Sequence, residues 1–413
     1  MAKKVIVTKN KLSAIGDAIR MRTGENGRYT LDEMAEKILD ISGDIPELED
    51  SDDPILNSRI YGAFWDGTKT SSWIRTDSAN SFSDPVPALN NGTGSSPFDK
   101  IKPWSEMKKI EDPIAGTLVK IPKFYFKWTK SGNGLKIQIS KNQQEGFYVC
   151  PACMDRGDGN GELDYCYVGR YHCNNQYKSK TNSLPIVNIG LETVRSSLQA
   201  QDSKLYPYDF YVHVTIWMLY LVEFANWDSQ SMIGAGCGDD ELSNNGATDA
   251  MEYHTGTTGI SREDYGHIQY RYIEDLWANV YDWCDCIWYA SGRWDTTITV
   301  YRRGYDEEGS KSITGDFMLS DYYQSMNAGG LETEGLEWIL FPSGSTSNVE
   351  DSAIKDASGG EGYSRYREGC RISVGGKYGQ HSTTEGLFRL VSTEYYWGWP
   401  TSEFVGCRLI KLP

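Results

Sequence analysis

Histidine is scarce in this chain, five residues in 413, and the five are not grouped for chemistry. His172, His213, His254, His267 and His381 include no two that stand four apart, so no His-Glu-x-x-His zinc site exists, and no paired-Cys, paired-His spacing occurs. A Gly-x-Ser-x-Gly nucleophile elbow and a Walker phosphate loop are also absent. Each histidine therefore reads as a structural or surface residue, and the chain as no enzyme.

Positive charge is in short supply too. Lys and Arg number 41 against 57 Asp and Glu, a formal charge of −16. Binding nucleic acid requires a basic face to neutralise phosphates, and docking on an anionic bilayer requires the same, so both partners are excluded as expectations. No long apolar run is present either. The most apolar stretch, 214–227, is interrupted by Thr215, Glu223 and Asn226 and falls short of the ~20 residues that span a bilayer. The first residues, Met1 to Thr8, hold no signal-peptide core. The expectation is a product of the bacterial cytoplasm without a signal peptide and without membrane insertion. No 20–50-residue period recurs, which disfavours solenoids and propellers.

What the chain does have is aromatic surface: 27 Tyr and 13 Trp, enough to exclude a disordered chain. Nine cysteines are an odd number, and with a cytoplasmic origin they are expected as free thiols in the core. Cys150, Cys153, Cys166 and Cys173 could supply four thiolates to zinc. A zinc ribbon pairs Cys-x-x-Cys at both ends, and here only one end has it, so small apolar core residues are the preferred reading. Asp155, Asp158, Asn160, Glu162 and Asp164 crowd the segment 155–164 with oxygens suited to calcium. The EF-hand register fails because Leu163 occupies the glycine position, so a solvated turn is preferred. No cofactor is expected, with calcium and zinc as the alternatives at these two places.

Length alone suggests two or three domains. Residues 1–42 read as a helical module: Leu12, Ile15 and Ile19 recur at helical spacing, and Thr30-Leu31-Asp32-Glu33 forms a capping box before a second amphipathic turn. Helices this short need a partner to cover their apolar stripes, either a copy of themselves or another protein, so a homo-oligomer is expected. Residues 43–113 read as an acidic linker and a small β-rich segment, with a strand–turn–strand pair over 64–74. Strands are expected over 118–128, 135–139 and 147–149. Helices are expected over 215–226, capped by Thr215, and over 273–283, where Leu276, Val280 and Trp283 share a face.

Three short motifs then occur in order. Asp275-Leu276-Trp277-Ala278-Asn279-Val280-Tyr281-Asp282-Trp283 precedes Arg371-Ile372-Ser373-Val374-Gly375-Gly376-Lys377-Tyr378, and the chain closes on Gly406-Cys407-Arg408-Leu409. Together they resemble the C-type lectin fold shared by formylglycine-generating enzymes and the variable proteins of diversity-generating retroelements, over roughly residues 115–413. The resemblance extends upstream through Asp164 to Tyr171. It implies an α+β chain with a C-type lectin-like domain over 114–413, preceded by the β-rich segment and the helical module. The oxidase branch of that family needs two neighbouring cysteines after the Gly-Gly turn. No cysteine lies between Cys370 and Cys407, so the oxidase reading is a distant alternative.

The Thr30-to-Met34 segment, with Phe64-Trp65-Asp66-Gly67 and Asp84-Pro85-Val86-Pro87, is similar to tail and baseplate proteins of phages and prophages of Gram-positive hosts. The implied function is a tail-tip receptor-binding protein of the virion, in a class that often forms trimers. It would be tethered to tail or baseplate proteins through 1–42, and would bind a host cell-surface protein or glycan through a region about 365–413, diversified by reverse transcription. A non-diversified structural tail protein is the alternative. The expected binding face comprises Arg371, Ser373, Tyr378, Gln380, His381, Thr383, Arg389, Thr393, Tyr395, Tyr396 and Trp397, residue types favoured at interfaces. Gly375, Gly376, Gly386, Phe388, Gly406 and Arg408 would be scaffold.

Overall fold

The computed structural model describes residues 57–132, 134–238, 240–291, 296–303, 306–315, 323–327, 334–345, 367–379, 386–393 and 402–413. Short apolar segments rich in aromatics and punctuated by turn residues become strands: β1 (Tyr61–Trp65), β2 (Trp73–Asp77), β3 (Ala88–Leu89), β4 (Lys109–Asp112), β5 (Gly116–Pro122), β6 (Tyr125–Ser131), β7 (Gly134–Ser140), β8 (Tyr148–Val149) and β9 (Tyr165–Gly169). The chain continues through helix α1 (Leu191–Gln201), β10 (Leu205–Pro207), α2 (Phe210–Phe224), α3 (Ser229–Met232), β11 (Gly256–Thr257), β12 (Ile268–Tyr270) and β13 (Ile273–Glu274). It ends with β14 (Tyr281–Ser291), β15 (Thr296–Arg302), β16 (Asp306–Gly315), β17 (Tyr323–Asn327), β18 (Phe341–Ser345), β19 (Arg367–Gly375), β20 (Leu390–Thr393), β21 (Val405–Gly406) and β22 (Leu409–Lys411).

The α+β expectation, with an N-terminal helical module and a C-type lectin-like domain, is corrected. The described residues are mostly β-sheet, with three α-helices of 11, 15 and 4 residues. The helical module over 1–42 lies outside the described residues. Local backbone geometry explains the missing helix over 273–283. Asp275, Ala278 and Asn279 all take left-handed φ values, +47°, +68° and +57°. A right-handed helix cannot pass through such residues. The apolar spacing there instead serves β13, a tight bend and the start of β14.

Asp52–Pro413 forms one compact unit. One sheet runs β2-β1-β7-β6-β8, so the pair from the segment 43–113 joins strands beyond residue 114. Trp65 is in register with Trp73 across β1 and β2, and with Leu135 on β7. A second sheet runs β10-β22-β9-β5-β4. The C-terminal strand β22 is thus an interior strand, with Ile410 opposite Tyr206 on one side and Val168 on the other. β3 and β11 to β13 form a third sheet, and β17 pairs with β18. The sheet that matters for the site runs β16-β15-β14-β19-β20, with β21 added in parallel to the start of β14.

All fifteen residues of α2 are buried. A helix apolar on every side has no solvent face, and this one packs against β1, β7 and β14. Its start is Asp209, whose carboxylate accepts from the Val212 amide at 2.9 Å. Thr215, expected as the cap, lies inside the helix. Its hydroxyl donates to the Tyr211 carbonyl at 2.8 Å and accepts from the Ala152 amide at 2.9 Å. The helix ends where Ala225 turns left-handed, φ +51°. Glu223 is tolerated in this interior because Arg271 clamps it at 2.6 and 2.9 Å, while Tyr270 and Ser96 donate to it at 3.0 and 2.7 Å. No described helix is long and apolar enough to cross a membrane.

Candidate functional site: the strands around β14

The three C-terminal motifs converge on β14. Tyr281 lies opposite Gly375 of β19 on one side and Val405 of β21 on the other, and Asp282 lies between Val374 and Gly406. Gly375 takes φ +88°, and a Cβ there would sit 2.8 Å from the Leu276 carbonyl oxygen. At Gly406 a Cβ would overlap the Ile186 carbonyl. Both glycines are therefore required by close backbone approach.

Arg408, fully buried, ties the motifs together. Its Nε donates to Asp282 at 3.0 Å, Nη1 to the carbonyls of Gly169 and Arg170 at 3.0 and 2.8 Å, and Nη2 to those of Glu274 and Asp275 at 2.8 and 3.0 Å. The other Asp282 oxygen meets His172 Nδ1 at 3.0 Å. Burial works against ionisation of Asp282, but His172 and Arg408 hold its carboxyl below the ordinary range. Trp283 completes the anchor by donating to the Ile189 carbonyl at 2.7 Å.

Upon this base the expected binding residues separate into three groups. Arg371 and Tyr378 reach the surface. Arg371, on β19, pairs with Glu192 in the first turn of α1. Burial pushes the Glu192 carboxyl upward, yet Arg371 and Arg195 hold it below its usual value. Tyr378 follows the Gly375 turn; its amide donates to the Asn279 carbonyl at 2.9 Å, and its ring lies 5.0 Å from that of Phe404. Lys377 holds its ammonium 4.2 Å from the centre of the Phe404 ring. Thr393 sits opposite Arg371 on β20.

Ser373 and Arg389 point elsewhere. Ser373 is 1% exposed and Arg389 4%, so neither is available to a macromolecular ligand. Ser373 is shut between β14 and β20, opposite Trp283 and Val391. Arg389 lies with its guanidinium carbon 5.4 Å from the Tyr281 ring centre, bracing the base of the face. Gln380, His381, Thr383, Tyr395, Tyr396 and Trp397 lie outside the described residues.

Segment 386–390 is bound from beneath. Trp217 of α2 donates to the Leu387 carbonyl at 2.8 Å, the Leu387 amide donates to Ser229 of α3 at 3.0 Å, and Phe388 packs 4.8 Å from Trp227. Glu192, Lys377 and Phe404 join the face although sequence reasoning did not select them. Glu192 is 179 residues from Arg371, and no spacing rule links the two. Lys377 lies inside the second motif and Phe404 just before the third, which was the one available signal.

The proposed metal donors are not gathered. Among the described residues no group of three His, Cys, Asp or Glu side chains is placed to hold a metal ion. Cys150, Cys153 and Cys166 lie in the main core, whereas Cys173 lies in a second apolar cluster with Cys407. In 155–164, Asp158 is paired with Arg303 at 2.7 Å, Glu162 and Asp164 with Lys123 at 3.2 and 2.6 Å, and Asp155 accepts from the Gly157 amide at 2.8 Å. These carboxylates brace a turn. A hollow of about 370 Å³ adjoins them, lined by Lys120, Lys123, Lys141 and Tyr165 together with Glu106 and Asp164.

No protein-family model matches this chain, and no curated protein matches it significantly.

Proposed function

We propose that this chain is a receptor-binding protein of a phage or prophage tail tip, held to tail or baseplate proteins through residues 1–42. It binds a host cell-surface protein or glycan through the surface built on β19, β20 and the turn after Gly375. In this reading it is a variable protein of a diversity-generating retroelement, diversified over about 365–413, and it performs no catalysis. The virion is its place of action and the bacterial cytoplasm its place of synthesis.

The observation that supports the reading is the separation of face from base. Arg371 and Tyr378 contact Glu192 and Phe404 at the surface, whereas Arg408, Asp282 and Trp283 hold the same strands from inside. A rigid base with side chains carried on loops and edges lets binding residues change while the fold persists. The test is a paired measurement on Arg371→Ala, Tyr378→Ala and the double variant. Binding to host cells should fall at least tenfold in the double variant, with the melting temperature shifted by no more than about 4 °C. Unchanged binding in all three would exclude this surface. Sequencing the codons for 365–413 across isolates tests the diversification: substitutions should cluster there, with Gly375 and Arg408 invariant.

A further inference from the structure

The hollow of about 370 Å³ beside Asp164 lies where two sheets meet, and its volume is within the range of small-molecule pockets. From the sheet that contains β22 come Lys120 on β5 and Tyr165, the first residue of β9. From the sheet that contains β1 come Tyr125, the first residue of β6, and Lys141 to Gln143, which follow β7 directly. Lys123 sits in the link between β5 and β6, and Glu106 ends a short 3-10 turn, Trp104–Glu106. Apart from the two tyrosine rings, the lining is polar throughout.

Pairs made within the chain fix the walls. Lys141 meets Glu106 at 2.5 Å and donates to the Lys123 carbonyl at 2.9 Å. Lys123 meets Asp164 at 2.6 Å and Glu162 at 3.2 Å. Asn142 donates to the Ser58 hydroxyl at 3.1 Å. Lys120 is different. Its ammonium stands 4.9 Å from the centre of the Tyr165 ring and has no ion-pair partner among the described residues. A ring face attracts the charge but leaves the ammonium's N–H donors available to an anion. The Tyr125 hydroxyl and the Gln143 amide line the same hollow and carry no hydrogen bond among the described residues.

A ligand that suits these groups needs two properties. It must bring a negative charge to Lys120, and it must bring hydroxyl donors to Glu106 and Asp164, whose carboxylates only accept. Phosphate or sulfate supplies the charge but sets further acceptor oxygens against those carboxylates. A neutral sugar satisfies the carboxylates and leaves Lys120 unanswered. We infer that this hollow is a binding site for an acidic saccharide, a sugar residue of the uronic acid class with a single carboxylate. The ligand's carboxylate pairs with Lys120, its hydroxyls donate to Glu106 and Asp164, and Tyr125 and Gln143 bond its remaining oxygens. The site is built on other strands than the β19–β20 surface, and it stands or falls without the receptor-binding reading.

The experiment is a saturation-transfer NMR titration of the full chain with methyl glucuronide, with methyl glucoside as the neutral counterpart and inorganic phosphate as a competitor. Methyl glucuronide should bind saturably, with a Kd of about 1 mM or below. Methyl glucoside should bind at least tenfold more weakly, and phosphate at equal concentration should not displace the glucuronide. Lys120→Gln should weaken glucuronide binding at least tenfold and remove its advantage over the glucoside. Tyr125→Phe should weaken both sugars while the preference between them persists. Thermal melting of each variant separates loss of the site from loss of the fold; Lys120→Met provides a second substitution if the first does not fold. No saturable glucuronide binding by the natural chain overturns the proposal. So does equal binding of the glucoside, displacement by phosphate, or an unchanged glucuronide affinity in a folded Lys120 variant.

Discussion

Arg408 Nε donates to the Asp282 carboxylate at 3.0 Å across 126 residues of sequence, and both side chains are buried. The link between β21 and β22 is thereby tied to the first residues of β14. Five hydrogen bonds satisfy the guanidinium, four of them to carbonyls on two separate segments. A buried charge with this many partners is costly to break one side at a time.

Arg408→Ala should therefore destabilise the protein by about 3–5 kcal/mol, because it leaves Asp282 and four carbonyls without their donor. Denaturant titration of the variant against the natural chain measures this. A loss below about 1 kcal/mol would show that water replaces the guanidinium without penalty.

Two histidines should impose opposite pH dependences. Burial pulls His213 down to about 3, from an ordinary value of 6.5. The unfolded chain then binds the extra proton between those values, so stability declines as pH falls from 6.5 toward 3, by up to about 1.4 kcal/mol per pH unit. His213→Gln should flatten that acid limb in melting curves. His267, held up to about 12, has the reverse sign. Its contribution is complete below 6.5 and is lost as pH rises toward 12, so His267→Gln should flatten the alkaline limb instead.

Gly375→Ala forces a side chain into φ +88° and against the Leu276 carbonyl. The expected cost is about 1–3 kcal/mol. Gly132, also left-handed at φ +59°, has nothing within 4 Å of a built Cβ. Gly132→Ala should thus cost less than Gly375→Ala, and the difference between the two melting temperatures isolates steric overlap from backbone strain.

Arg371→Ala breaks the pair with Glu192, whose carboxylate end is open to solvent, the side chain being 58% exposed against 12% for that of Arg371. Pairs open to solvent on one side contribute about 1 kcal/mol or less, so stability should change by no more than that. Host-cell binding should change much more, and a comparable loss of both would favour a structural role for β19's outer edge.

Much of this protein was legible in its sequence. The β1–β2 pair, the strand expected over 135–139 and the buried thiols follow from alternation, turn residues and composition, which act over a few neighbouring positions, whereas the strand expected over 118–128 is divided into β5 and β6. The meeting of the C-terminal motifs was visible as order along the chain, without its geometry. Helix α2 was found but started five residues late, because Thr215 and Asp209 are both good caps and only the contacts made by each decide between them. The helix expected over 273–283 failed for a different reason. Its apolar spacing suits a helix, but left-handed φ values at Asp275, Ala278 and Asn279 are imposed by the strands and loops that those residues join. Tertiary structure alone decided that Ser373 and Arg389 are interior, that Glu192 faces Arg371, and that Asp275 holds His267. Local chemistry specifies what a short segment prefers, whereas burial and long-range pairing depend on which distant segment arrives beside it.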